Sequence, residues 1–483
     1  MKTILSFACC AVLVTTLSAQ SRDAVAPPLA ITRVNIVDVE RGAVLRNRTV
    51  VIQGDVIESI VPADAAIPTA ATRIDGRDGY LIPGLWDMHV HVALLGGPAV
   101  LPVFVAHGVT GVRDAGSPDA IYQWRDDVAA SRLIGPRIVA AGRMIDGPGS
   151  LSEPLFAANQ ERVSGPAEIK AAVSRRKQNG AYVKLQNGLL GRDLWRQIAD
   201  EATRQGLVVG GHVPVDLSLT EAIHRGLRSI EHSLGLPIAV TVAESRLRQR
   251  VMNAPGGQDG RFQELILADG DALAEIDFAK LAALASLMRE RDVVLVPTLT
   301  DSRAMGTYGT GKWNKDPRLA FVSPATRKLW LSLAHDPTNV EARLVAQFEL
   351  VYRKIPPVIR AFHRAGVKIL AGTDAGAAFD FPGSDLHSEL WHLVQAGLTP
   401  AEALRAATSD AAAFVGLRDS LGTVAPKKIA DLVLLERNPL DDIANTSRIA
   451  AVVLRGRYYE RATLDQLLAA AKEAMSAMAG QQP

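Results

Sequence analysis

Cysteine is nearly missing from this chain. Its 483 residues hold two, Cys9 and Cys10, both within the first ten. A disulfide framework, a thiolate zinc site and a cysteine nucleophile in the body of the protein are therefore excluded. Net charge is also small: Lys and Arg total 53 against 51 Asp and Glu, a formal +2. Nothing electrostatic favours nucleic acid or an anionic membrane as partner. No run is long and apolar enough for a transmembrane helix, and the apolar stretch Ile4–Val14 is too short to span a bilayer. A glycine-rich phosphate cradle of the P-loop type is absent as well. Aromatics are sparse at 5%, yet 48% of residues are hydrophobic and 22% charged. That balance supplies a sizeable core and excludes disorder.

The start of the chain has the layout of a secretory signal peptide. Lys2 gives the positive end, Ile4–Val14 the apolar run, and Thr15 to Gln20 the small and polar residues around a cleavage site near Ala19. Residues 1–19 are expected to be removed, leaving a periplasmic or secreted protein without cysteine. A lipid anchor on Cys9 or Cys10 is the alternative, but Ser6-Phe7-Ala8 is a poor lead-in for one.

From about Tyr80 to Gly416, helical patterns alternate with short β-branched runs. The expected strands are Gly84–Val92, Val109–Ala115, Arg137–Ile145, Tyr182–Gln186, Leu207–Val213, Ser229–Ser233, Val293–Leu299 and Val367–Thr373. Gly108, Gly180, Gly206, Gly226 and Gly366 precede five of them, where a helix-terminating glycine belongs. Eight strands separated by helices predict an α/β fold, a (β/α)8 TIM barrel over residues 81–416. An open doubly wound sheet is the alternative. Residues 20–80 and 417–463 read as strands and turns, and predict a small β-sandwich domain built from both chain ends. Residues 464–483 read as a C-terminal helix and tail. The long connections Leu234–Asp292 and Thr300–Asn339 leave the C-terminal mouth of the barrel, where lids form. Met305–Gly311, with three glycines, is a candidate lid segment.

Trp86-Asp87-Met88-His89-Val90-His91 ends the first of the eight strands. Residues i and i+2 of a strand share a face, so His89 and His91 both aim into the mouth and suit a zinc-type metal. His212 ends the fifth strand, His232 the sixth and Asp374 the eighth. In a barrel these ends converge on the rim that carries chemistry. Lys184 ends the fourth strand, where a cation is out of place beside a metal. Asp87 and Asp114 are candidates for orienting an imidazole or for capping a helix. His387 follows the eighth strand closely and is a candidate substrate-binding residue. Arg143 and Tyr308 are weaker candidates. His107, His224, His363 and His392 fall in helices and read as structural.

These residues resemble the metal-dependent amidohydrolase superfamily over nearly the whole mature chain. Leu81 to His91 is similar to its first-strand signature, and Ala430 to Leu435 to its return into the small β domain. His89, His91, Lys184, His212, His232 and Asp374 match the binuclear, carboxylated-lysine subgroup position by position. Gly111 to Gly116, Ile230-Glu231-His232 and His387 to Leu390 resemble the prolidase, ochratoxinase and imidazolonepropionase-like branch. The resemblance implies two divalent metal ions, of which zinc is the first expectation. It also implies a CO2-derived carbamate on Lys184 bridging them. His89, His91 and Asp374 would hold the buried ion, His212 and His232 the exposed one. A metal-bridging hydroxide would attack the carbonyl, and Asp374, the catalytic residue, would pass its proton to the leaving nitrogen. The departure is Met144 to Ser150, which lacks the branch's Gly-Gly-His motif; Lys184 itself argues against imidazolonepropionase activity.

The expected function is an exported amidohydrolase acting on a small-molecule amide: a dipeptide, an N-acyl amino acid or an aryl amide. Two alternatives are a lactonase or phosphotriesterase on the same metals, and an inactive binding protein of the cell envelope. The sequence leaves open whether the protein is a homo-oligomer.

Overall fold

The computed structural model describes residues 27–148, 157–186, 190–335, 342–377 and 379–479. The expected signal peptide and both cysteines lie outside them, as does much of the stretch around Ser150. The strands in chain order are β1 (Leu29–Asp38), β2 (Ala43–Gln53), β3 (Val56–Pro62), β4 (Thr72–Asp75), β5 (Tyr80–Pro83), β6 (Leu85–Val90), β7 (Val109–Asp114), β8 (Arg137–Ala140), β9 (Met144–Asp146), β10 (Gln160–Arg162), β11 (Tyr182–Leu185), β12 (Val208–Gly211), β13 (Leu227–Glu231), β14 (Val294–Val296), β15 (Leu432–Leu435), β16 (Ile449–Leu454) and β17 (Arg457–Glu460).

β1–β5 and β15–β17 form one eight-stranded sheet. Here β5 joins the two ends of the chain, parallel to β1 and antiparallel to β15. Successive side chains of a strand point to opposite faces. Val37, Val433, Leu435 and Val452 accordingly enter the main core, while Ile36, Leu432, Leu434 and Val453 fill a separate small one.

The remaining strands are parallel, in two sheets of order β6-β7-β8 and β10-β9-β11-β12-β13-β14. Helices separate them. Arg192–Arg204 is representative, burying Trp195, Ile198, Ala199 and Ala202 at helical spacing. Four of the five expected terminating glycines (Gly108, Gly206, Gly226 and Gly366) have left-handed backbone. Gly180 instead ends its helix in extended conformation, with φ −98°.

Two expected strands differ in the structure. The third is split, β8 stopping at Ala140 and β9 resuming at Met144, with Gly142 at φ +70° between them. Ala181 N donates to Ala140 O at 3.0 Å and Gln186 N to Ile145 O at 3.0 Å, so both pieces reach the β11 segment. Residues 367–375 make single bridges rather than a regular ladder. Ile369 pairs with Leu295 and Ala375 with Val90, and Asp374 N donates to His89 O at 2.8 Å. Asp374, just past the expected strand, sits at φ +63°, outside the β region.

The long connections are largely helical rather than structureless. Glu244–Met252, Gly257–Ala272 and Phe278–Glu290 lie between β13 and β14, and Leu299–Met305, Pro324–His335 and Ala342–Lys354 follow β14.

Asp431 ties the small sheet to the strands of the main body. It accepts from Arg137 Nε on β8 at 2.9 Å and from Arg455 N at 2.6 Å, and is 4% exposed. Asp431→Ala leaves a half-buried guanidinium and a half-buried backbone amide without their partner. The expected cost is about 1–2 kcal/mol, checked as a shift in the denaturant midpoint at unchanged slope.

Candidate metal centre

β6, β11, β12, β13 and residues 367–375 deliver six side chains to one place. The His89 and His91 ring centroids are 5.4 Å apart, those of His89 and His232 4.5 Å, and those of His212 and His232 5.1 Å. Asp374 Oδ1 lies 3.1 Å from His91 Nε2 and 3.4 Å from His89 Nε2, and its Oδ2 3.8 Å from His232 Nδ1. Lys184, 1% exposed, faces this cluster and lowers the pKa of His89, His212 and His232 through its charge. Gly211 makes the approach of these strands feasible. Its φ is +118°, and a Cβ there would stand 2.2 Å from Leu185 O, so no other residue fits beside His212.

The backbone is strained where these tips emerge. His232, Ser233, Thr298 and Asp374 are all non-glycine residues with φ between +45° and +63°. Such conformations cost about 1 kcal/mol or more each and gather at functional sites.

Protonation states follow from burial and neighbours. Burial is the largest influence on His89 and His232, holding their pKa values down to about 3 and about 4. His212 is held well below the usual range for the same reason. These rings are neutral at pH 7, the state a metal requires. Burial opposes the charge of Asp374, but the adjoining His232, His89 and His91 outweigh it and hold its carboxyl below the usual carboxylate range. Burial lowers the Lys184 amine to about 8.

Several buried atoms here make no well-formed hydrogen bond: His89 Nε2, both nitrogens of His212, Lys184 Nζ and Asp374 Oδ1. Buried polar atoms are ordinarily satisfied. The donor set fits a metal, imidazole nitrogens and carboxylate oxygen being suitable ligands for divalent ions of the zinc type. Ligand atoms of His89, His91 and Asp374 come within 4.8 Å of one another, and so do those of His232, Asp301 and Asp374.

A buried network orients the histidines. Glu231 Oε2 accepts from His89 Nδ1 at 2.8 Å, which turns Nε2 toward the cluster. Glu231 in turn accepts from Arg113 at 2.7 Å and from the Ser229 hydroxyl. Arg113 also donates to Met88 O at 2.7 Å, locking it to β6. His91 Nδ1 is held by Gly116 O at 3.2 Å, and His232 Nδ1 by Thr298 Oγ1 at 2.9 Å. Neither Asp87 nor Asp114 touches an imidazole. Asp87 accepts from Thr373 N and Oγ1 at 3.0 and 2.6 Å. Asp114 accepts from Val92 N at 2.9 Å, the capping alternative.

The substrate-binding expectation for His387 requires correction. Its Nδ1 meets Thr446 Oγ1 at 3.0 Å and its Nε2 meets His107 O at 3.1 Å. One nitrogen thus joins helix Ser384–Ala396 to the C-terminal segment and the other joins it to the end of helix Leu101–Ala106, so the ring fastens packing. Arg143 is turned toward Asp119, at 3.7 Å.

A cavity of about 420 Å³ opens against His212, His232 and Asp374. Asp301 and Tyr308 line it beside the cluster, and apolar side chains from the inserted helices form most of its wall. Nothing in sequence spacing assigned Asp301, since it lies at the start of an inserted helix, Leu299–Met305. Tyr308 had been a weak candidate.

The chain belongs to the amidohydrolase family, whose sequence pattern matches residues 80–458. It is a hydrolase acting on carbon–nitrogen bonds, like its relatives. Ochratoxinase of Aspergillus niger is 24% identical over 468 residues, spanning 83% of this chain and 80% of that one. A prolidase solved with N-methylphosphonate-L-proline is 25% identical, with a TM-score of 0.63 over 90% of this chain and all of that one. Bottromycin amidohydrolase shares the fold at 24% identity, with a TM-score of 0.71 over 93% of this chain and 90% of its own.

Proposed function

We propose that this protein is an exported, binuclear metal-dependent amidohydrolase that cleaves the amide bond of a small molecule. In this reading β6–β14 and residues 367–375 close into a (β/α)8 barrel, and the small sheet folds over as a sandwich. The N-terminal layout supports export to the periplasm or beyond. One observation carries the metal reading: His89, His212, Lys184 and Asp374 present buried, unpartnered polar atoms to a common space.

His89, His91 and Asp374 would hold one ion, His212 and His232 the other, and Lys184 as its carbamate would join the two. Bound there, zinc-type cations would polarise a carbonyl and lower the pKa of water. Asp374 accepts the proton released as water adds to the carbonyl carbon, and returns it to the leaving nitrogen. It suits the task because its neighbours keep it ionised at neutral pH. Glu231 and Arg113 hold the His89 ring in the tautomer that leaves Nε2 free.

Protein reconstituted with zinc, manganese or cobalt is expected to retain about two ions per chain. It should hydrolyse members of a panel of dipeptides, N-acyl amino acids and aryl amides, and a chelator should abolish turnover. Undiminished hydrolysis by metal-free protein overturns the reading.

Carbamate formation needs the neutral amine. With its pKa at about 8, roughly a tenth of Lys184 is neutral at pH 7, against about 0.03% for an ordinary lysine. The folded state binds fewer protons at this site than the unfolded chain between about 8 and 10.5, so the neutral amine is favoured increasingly with pH. At fixed dissolved 13CO2, the carbamate carbon signal in NMR is expected to grow from pH 6 to 8.5 and to be absent in Lys184→Arg. A signal flat across that range contradicts the assignment.

A further inference from the structure

The cavity beside the cluster has a chemistry of its own. Phe262 and Ile266 come from helix Gly257–Ala272, and Leu344 and Phe348 from helix Ala342–Lys354. These four side chains pack together as a small hydrophobic cluster separate from the main core. Pro237 and Met305 extend the apolar wall. Two helices inserted far apart in sequence thus meet, and their seam faces the metal-binding tips. A volume of about 420 Å³ falls in the range of pockets that enclose a whole drug-sized group.

The polar residues of this wall are as informative. The titratable groups lining it are His212, His232, Tyr308 and three carboxyls, Asp269, Asp301 and Asp374. Asp269 is committed to Gly235 N at 2.7 Å. Asp301, 4% exposed, has an oxygen without a partner. No lysine or arginine lines the cavity among the described residues. The internal stretches 149–156, 187–189 and 336–341 contain none in sequence either. Beyond the ions that the proposed reading places at the tips, a carboxylate seated along this wall would leave water without a side-chain cation to receive it, beside the carboxyls of Asp301 and Asp374.

We propose that the cavity selects amides carrying a bulky, uncharged apolar group next to the scissile bond, and discriminates against substrates with a free carboxylate there. This deepens the amidohydrolase reading and rests on it for turnover, though not for binding. Discrimination would come from the seam of the two inserted helices, with Phe262 and Phe348 as its principal determinants.

The test uses three compounds: N-octanoyl-L-phenylalaninamide, its free acid N-octanoyl-L-phenylalanine, and N-acetyl-L-alaninamide. For the full-length, metal-loaded enzyme, kcat/KM for the neutral octanoyl compound is expected to exceed that for the acid by about 10-fold or more. It should exceed that for the acetyl compound by about 100-fold. Phe262→Ala and Phe348→Ala should each narrow the octanoyl-to-acetyl ratio by about 10-fold, chiefly through KM. Calorimetry on metal-depleted protein supplies an arm without turnover. The neutral octanoyl compound should bind tighter than the acid, with the negative heat-capacity change of apolar burial, and both variants should weaken it. Equal or tighter binding of the acid, or ratios unmoved by both variants, overturns the proposal. Binding in the expected order without hydrolysis of any amide by loaded enzyme overturns the catalytic reading instead.

Discussion

Lys184→Ala is expected to lower kcat by about 1,000-fold or more and to release at least one of the two metal ions. The lysine lies at the end of β11, 1% exposed, with no partner for its amine. In the proposed reading the methyl removes the carbamate that would join the two groups of histidines. A carboxylate would then stand in for it, and acetate or propionate supplied in the buffer should restore part of both metal content and rate. Elemental analysis alongside turnover separates the two effects. Full metal retention in Lys184→Ala, with activity within a few-fold of the parent, contradicts the bridging role.

Asp374→Asn is expected to lower kcat/KM by about 1,000- to 10,000-fold. The amide keeps the size of the side chain but, in the proposed mechanism, could neither accept the proton of the attacking water nor carry it to nitrogen. His91 and His89, 3.1 and 3.4 Å from Asp374 Oδ1, lose their ionised neighbour, so metal affinity should fall as well. A substrate with a leaving group of low pKa, such as a nitroanilide, distinguishes proton delivery from metal loss. It needs little protonation on departure, so the deficit should shrink for it if proton delivery is impaired. An equal deficit for good and poor leaving groups leaves the metal as the whole explanation.

The gathering of the strand tips was legible because β geometry is simple. His89 and His91 two apart, and single residues ending later strands, required only the period of the strand and the convergence of parallel strand ends. The orienting network was not legible. Arg113 and Glu231 are 118 residues apart in sequence and meet only across the interior, so no local pattern joins them. His387 was misjudged for a related reason. Its sequence nearness to residues 367–375 said nothing of which face of helix Ser384–Ala396 it occupies, and that face turns to Thr446 and His107. Much of the cavity wall comes from helices Gly257–Ala272 and Ala342–Lys354, and nothing local in the sequence says that these two segments pair. The eighth strand was expected in the right place but as a regular element. Instead it makes isolated bridges, and Asp374 takes a left-handed backbone.

The way β5 is paired bears on how the molecule is made. Its partner β15 is synthesised roughly 350 residues after it, so this contact closes one of the longest loops in the chain. Until the last strands have left the ribosome, one edge of β5 stays raw. A shortened product ending before Leu432 keeps that edge, a template for aggregation. The final tenth of the chain is thus a latch on everything translated before it.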